Sequence, residues 1–258
     1  MVITKRQKIF VSSLLLSATT SSLPFVGEGN ELPFLAVVLI ASYFLSVWSI
    51  YGQFSIFELV SLFVLPVTLT ASFGLFLTQF EVGTLTRIIL AIGYVVAIYT
   101  ILLSENIFNV SVERNIPLIR AARTVGYLAT LFVSFAFFTL LFGLDLNNLI
   151  FSVASTVVAV LLFAQGIWQI ELKYTDPKRL IYYSLILGLI TGEIAAALSF
   201  WPLEPPKLGI AMTTAVYVLL GVSGHHIRED LSKRTVTEYL LVAGGVILLL
   251  ILTTSWGI

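Results

Sequence analysis

One glutamate in the middle of an otherwise apolar run is the residue of this chain best placed to do chemistry. Glu193 lies deep inside Leu180–Pro202, where every other side chain between the ends is uncharged. A carboxylate at the centre of a bilayer costs about 2.5 kcal/mol or more on insertion scales. Its presence asks for a reason: a proton or solute pathway, or a hydrogen bond from a protonated Glu193 to a neighbouring helix. The next apolar run, Leu208–Gly224, returns through Pro202, Pro205 and Pro206. A hairpin that tight places Thr213, Thr214 or Tyr217 near the depth of Glu193. No Lys or Arg lies inside a run to act as its counter-ion.

Pro66 is the second candidate, being the only proline deep inside a run. Proline removes one helical hydrogen bond and tends to kink the helix. Thr68, Thr70 and Ser72 follow and offer hydroxyls to freed carbonyls. Broken helices at mid-membrane serve transporters, although a proline kink is also ordinary packing. Gly188, Gly192 and Ala196 repeat every four residues, the spacing that lets two helices approach closely. Helix packing is the plainer reading of that stripe, and a thin wall beside a substrate path the other.

Three further groups carry weaker chemistry. His225 and His226 stand before Arg228, Glu229 and Asp230. Adjacent side chains on a helix point about 100° apart, and a zinc site needs three or four convergent ligands, so a solvated helix end is the better reading. Gln165 and Gln169, one turn apart, suit hydrogen bonds between helices. Arg120 and Arg123 are placed to meet anionic lipid headgroups, or simply to anchor a helix end.

No HExxH, GxSxG, Walker loop or pair of intramembrane aspartates occurs. No catalytic residue, cofactor site or metal site is therefore assigned. With no cysteine there is no disulfide, thiolate ligand or thiol nucleophile. A net charge of zero leaves no basic patch for nucleic acid.

The elements that must position these residues follow from composition. Charged residues make up 11% of the chain and hydrophobic ones 58%, with a mean hydropathy of +1.02. Soluble domains carry about 25% charged residues, so this is a membrane chain. The runs are continuous rather than alternating, which selects helices over a β-barrel. Nine spans can be drawn, at about 9–26, 32–51, 57–80, 87–104, 124–143, 148–170, 180–202, 208–224 and 239–256. The expected fold is one all-α polytopic transmembrane bundle over residues 1–258.

Orientation follows from the basic residues, because short cytoplasmic loops concentrate Lys and Arg. With the N-terminus inside, four groups of three fall inside: Lys5, Arg6, Lys8; Arg114, Arg120, Arg123; Lys173, Lys178, Arg179; and Arg228, Lys233, Arg234. Only Arg87 and Lys207 remain outside, and an odd number of spans puts the C-terminus outside too. Trp48, Tyr127, Trp168 and Tyr239 near inner span ends, and Trp201 and Trp256 near outer ones, fit interfacial belts. The location expected is the cytoplasmic (plasma) membrane.

Two segments admit alternatives. The basic start, apolar core and Ser/Thr-rich Ser17–Ser22 also describe a signal peptide, although Pro24–Val26 makes a poor cleavage site. The gap Glu105–Arg123 reads either as a plain loop or, through Ile107, Phe108, Val110, Ile116 and Leu118, as a piece lying on the inner surface. There Pro117 suits the first turn of the following helix.

Two strings, GEIAAALSFWP (Gly192–Pro202) and GVSGHHIREDL (Gly221–Leu231), resemble uncharacterised multi-span membrane proteins of candidate-phylum bacteria. The resemblance covers the last third of the chain and implies a membrane protein without an assigned activity.

The reading that best fits so little intramembrane polarity is a non-enzymatic structural or assembly subunit. Its partners would be the lipid bilayer and other membrane subunits. A small transporter or channel using Glu193 and the Pro66 break is the alternative. An enzyme acting on lipid, with Glu193 as acid or base, comes third because no second catalytic group accompanies it.

Overall fold

The computed structural model describes residues 4–27, 29–50, 59, 61–113, 118–170 and 177–255. Nine α-helices are bounded among them, and no strand occurs among the described residues. They are α1 (Lys5–Ser21), α2 (Glu31–Ile50), α3 (Val64–Gln79), α4 (Thr84–Glu113), α5 (Ile119–Phe142), α6 (Asn148–Ile170), α7 (Pro177–Leu198), α8 (Pro205–Ile227) and α9 (Lys233–Thr253). A 3-10 turn, Leu23–Phe25, follows α1. All except α1 and α3 are long and apolar enough to cross a membrane. The all-helical polytopic bundle expected from the sequence is the fold.

Most boundaries fall within a few residues of the expected spans, and α6 matches its span at both ends. Two differ for physical reasons. The gap drawn at Glu105–Arg123 is largely helix, because α4 continues to Glu113 and α5 begins at Ile119. Ile107, Phe108 and Val110 therefore belong to α4 and form no separate surface piece, and Phe108 is fully buried. At 30 residues and about 1.5 Å per residue, α4 is roughly 45 Å long and exceeds a hydrocarbon core of about 30 Å. Pro117 lies outside the described residues.

The third span is shorter than drawn. Leu59 and Ser61 are helical, Leu62 and Phe63 form a turn, and α3 begins at Val64. Pro66 is thus the third residue of α3 and not a mid-helix kink. Its ring cannot sit against the carbonyl four residues back, which belongs to Leu62, and the break falls there. The start of that span lies outside the described residues.

The chain divides into two compact units, Met1–Ala129 and Thr130–Ile258, with the boundary inside α5. In the first unit, α1 to α4 all touch one another. The helix α1, which the sequence left open as a leader, is part of that core: Ile9 and Leu16 are fully buried, as are Ser12, Ser13 and Thr20. Ser12 Oγ donates to the carbonyl of Leu45 in α2 (3.3 Å) and Ser17 Oγ to that of Ala91 in α4 (3.1 Å). At one end of the unit, Lys8 Nζ lies 5.2 Å from the centre of the Trp48 ring.

In the second unit the closest packing is between α6 and α7. A Cβ added at Gly188 would stand 2.9 Å from the Val160 backbone nitrogen and 3.0 Å from its Cα. One added at Gly192 would stand 3.0 Å from Thr156 Cβ and overlap its hydroxyl. The stripe Gly188 and Gly192 is therefore a packing face at which backbone meets backbone. Between α7 and α8, Pro205 and Pro206 open α8, where a missing N–H breaks no helical bond.

The last helix is held mainly by its ends. Only Leu250 of α9 is buried. At one end the Tyr239 ring covers Gly221 and lies 4.9 Å from that of Tyr217. At the other, Trp201 Nε1 donates to Thr254 Oγ1 (3.1 Å), and Lys207 Nζ donates to the carbonyl of Thr253 (2.8 Å). Lys207 also pairs with Glu204 at 3.2 Å. A cation on the last carbonyls of a helix complements its negative end.

Replacing Gly192 by Leu forces α6 and α7 apart, and overpacking of this kind costs about 1–3 kcal/mol. A lower midpoint of unfolding in denaturing detergent is expected, with no such change for Gly244→Leu, where nothing lies within 4 Å.

Candidate functional site

The acid singled out by the sequence is not enclosed. In α7 the buried face runs through Ser184, Leu187, Gly188, Thr191, Gly192 and Ala195. Glu193, one residue on from Gly192, is turned outward and exposed, in a strip with exposed Ile186, Leu189 and Ile190. It has no hydrogen bond or ion pair among the described residues. None of Thr213, Thr214 and Tyr217 bonds to it. The Thr213 hydroxyl is buried without a partner among the described residues. Thr214 Oγ1 donates to its own helix at Ile210 (2.8 Å). The Tyr217 ring packs at a tilt against that of Tyr239.

The buried acid is a different one. Glu105 is fully buried, and no other charged residue is buried among those described. Beside it in α4, the Asn106 side-chain oxygen is buried without a partner among the described residues. Sequence reasoning ended the span at Ser104 and put Glu105 at the start of a gap read either as a plain loop or as a piece lying on the inner surface. The apolar residues Ile107, Phe108 and Val110 beyond it were the signal that the helix continues.

A second group that sequence reasoning missed is a hydroxyl cluster across all four helices of the first unit. Thr70 Oγ1 donates to the carbonyl of Pro66 (2.7 Å). It lies 3.0 Å from Ser42 Oγ and 2.7 Å from Tyr94 Oη. A hydroxyl has one hydrogen, so Ser42 and Tyr94 are the donors to Thr70. The Tyr94 hydroxyl also meets the Thr20 side chain, and the Tyr94 ring stacks on Phe73 at 4.6 Å. Thr68 and Ser72 bond the carbonyls of Val64 and Thr68 (2.8 and 2.9 Å) and not the carbonyl of Leu62 that Pro66 frees. The cluster is enclosed and lines neither cavity described next.

Two cavities of the first unit meet at Arg87. One, of about 400 Å³, is lined by Glu31, Thr78, Glu81 and Arg87 among others. The other, of about 280 Å³, is lined by Ala18, Ser21, Phe25, Arg87, Ile88 and Ala91. The guanidinium carbon lies 5.0 Å from the centre of the Phe25 ring. One terminal nitrogen donates weakly to the carbonyl of Val82 (3.4 Å), and Nε is buried without a hydrogen bond among the described residues.

The remaining candidates lie at helix ends. Arg120, in the first turn of α5, is exposed, and Arg123 is half-buried. His225 Nδ1 bonds Asp230 Oδ1 at 2.8 Å, closing the turn between α8 and α9. His226 faces Tyr183 at 6.1 Å between ring centres, so the two imidazoles do not converge. No group of three or more His, Asp or Glu able to hold a metal ion occurs among the described residues. Gln165 and Gln169 are buried in α6.

Tyr94→Phe removes a hydroxyl that joins Thr70 to Thr20. Hydrogen bonds between membrane helices contribute about 0.6–1.7 kcal/mol each. A loss of stability of about 1 kcal/mol in denaturing detergent is expected, and a larger one for Thr70→Val, which strands Ser42 and Tyr94 together.

No curated protein and no solved structure matches the chain at a significant level. A family model matches residues 32–253, from the start of α2 to the end of α9. The chain belongs to the family described as Protein of unknown function (DUF5656).

Proposed function

We propose that this chain is a non-catalytic structural or assembly subunit of a membrane complex. The observation that carries the proposal is the outward Glu193. A carboxylate on an apolar helix face costs about 2.5–3.5 kcal/mol against lipid, and a hydrogen-bond donor on a neighbouring subunit relieves that cost. The nearly unburied α9 gives the second unit further apolar surface. A transport pathway through Glu193 would instead enclose that residue, and neither cavity at Arg87 contains it.

The same proposal includes the cytoplasmic (plasma) membrane as location, the lipid bilayer and other membrane subunits as partners, and no nucleic acid. Four triplets of basic residues support an inside N-terminus and an outside C-terminus. Reporters fused after Arg228 should read as inside and one at the C-terminus as outside. An inside C-terminus would refute nine crossings.

Glu193→Leu separates assembly from transport. The variant should fold at least as well as the parent, because an apolar side chain is cheaper in lipid. It should lose co-purifying subunits after extraction in mild detergent. Retention of every partner together with loss of proton-linked or solute flux in reconstituted vesicles would replace assembly by transport.

A further inference from the structure

We infer that the paired cavities at Arg87 form a binding site for a phosphodiester carrying a primary ammonium, the chemistry of an ethanolamine phospholipid headgroup. Arg87 lies on the wall of both cavities. Among the described residues its Phe25 contact and weak bond to Val82 leave most of the guanidinium's donors without a partner. Among the described residues Nε is buried and unbonded, which is a costly state unless something occupies the space beside it. Guanidinium matches phosphate in geometry and charge.

A bare anion fits the site poorly. Glu31 and Glu81 line the larger cavity together with Arg87, yet neither comes within ion-pair distance of it. Glu31 accepts a hydrogen bond from the Gly29 amide (3.0 Å). Glu81 is exposed and makes no bond among the described residues. An anion at Arg87 would therefore face two carboxylates across the cavity. A ligand with a cation beside its anion satisfies both walls at once: phosphate on Arg87, and ammonium toward Glu31 and Glu81. Across Arg87 the smaller cavity is walled by Ala18, Phe25, Ile88 and Ala91, with only Ser21 and Ser22 adding hydroxyls. Apolar walls on that side suit an acyl chain. The site lies in the first unit and Glu193 in the second, and the inference does not depend on the assembly role.

The test uses the full chain in nanodiscs of equal phosphatidylethanolamine and phosphatidylglycerol, extracted gently and weighed by native mass spectrometry. The parent should retain the ethanolamine lipid about tenfold over the glycerol lipid. Arg87→Gln should lose both. Glu81→Gln changes an exposed loop residue outside any helix and is expected to fold normally. It should keep phospholipid but lose the preference for ethanolamine. Displacement by millimolar free phosphoethanolamine would assign the site to the soluble headgroup compound, and resistance to it would assign the intact lipid. Equal retention of the two lipids by the parent, or an unchanged preference in folded Glu81→Gln, would overturn the proposal.

Discussion

Within hydrocarbon, lipid tails are as apolar as leucine, so burying an apolar side chain does not by itself choose one helix partner over another. Close backbone approach and hydroxyl hydrogen bonds have to make that choice. The rest of this structure depends on that constraint, and the two units meet it differently. The first unit uses hydroxyls: Ser12 and Ser17 of α1 reach carbonyls on α2 and α4. The cluster around Thr70 then joins α2, α3 and α4, with Thr20 bringing in α1. The second unit uses absent side chains, with Gly188 and Gly192 seating α7 directly on the backbone of α6.

This division accounts for the two short helices. The helix α1 has few strong apolar residues but four buried hydroxyl positions, Ser12, Ser13, Ser17 and Thr20. These hydroxyls lie on the face of α1 that meets the rest of the unit. The helix α3 is mostly buried along its whole length. Its start is set by Pro66, whose ring is incompatible with a helical carbonyl at Leu62. Neighbouring helices surround α3, and they cover one face of α1, whose Phe10, Leu14 and Leu15 stay exposed on the other.

The two basic residues outside the positive triplets both acquire structural reasons. Lys207 caps the end of α9 and pairs with Glu204. Arg87 instead stands over Phe25 between two cavities, with Nε unbonded among the described residues. One is satisfied within the chain, whereas the other has capacity left for a ligand.

The sequence by itself determined the class and, among the described residues, most of the helix ends. Hydropathy and proline positions act locally along the chain, and these features need nothing else. It could also identify Gly188 and Gly192 as a packing stripe, because their spacing alone puts them on one helix face. What only the tertiary structure decided was the fate of each acid. Glu193, read from the sequence as a pathway acid or as one bonded to a neighbouring helix, is exposed, whereas Glu105, in a gap read as a loop or a surface piece, is buried. Depth in the membrane is read from position along a run. Burial depends on which side of a helix meets its neighbour, and a rotation of about 100° per residue turns Glu193 outward while Gly192 faces α6.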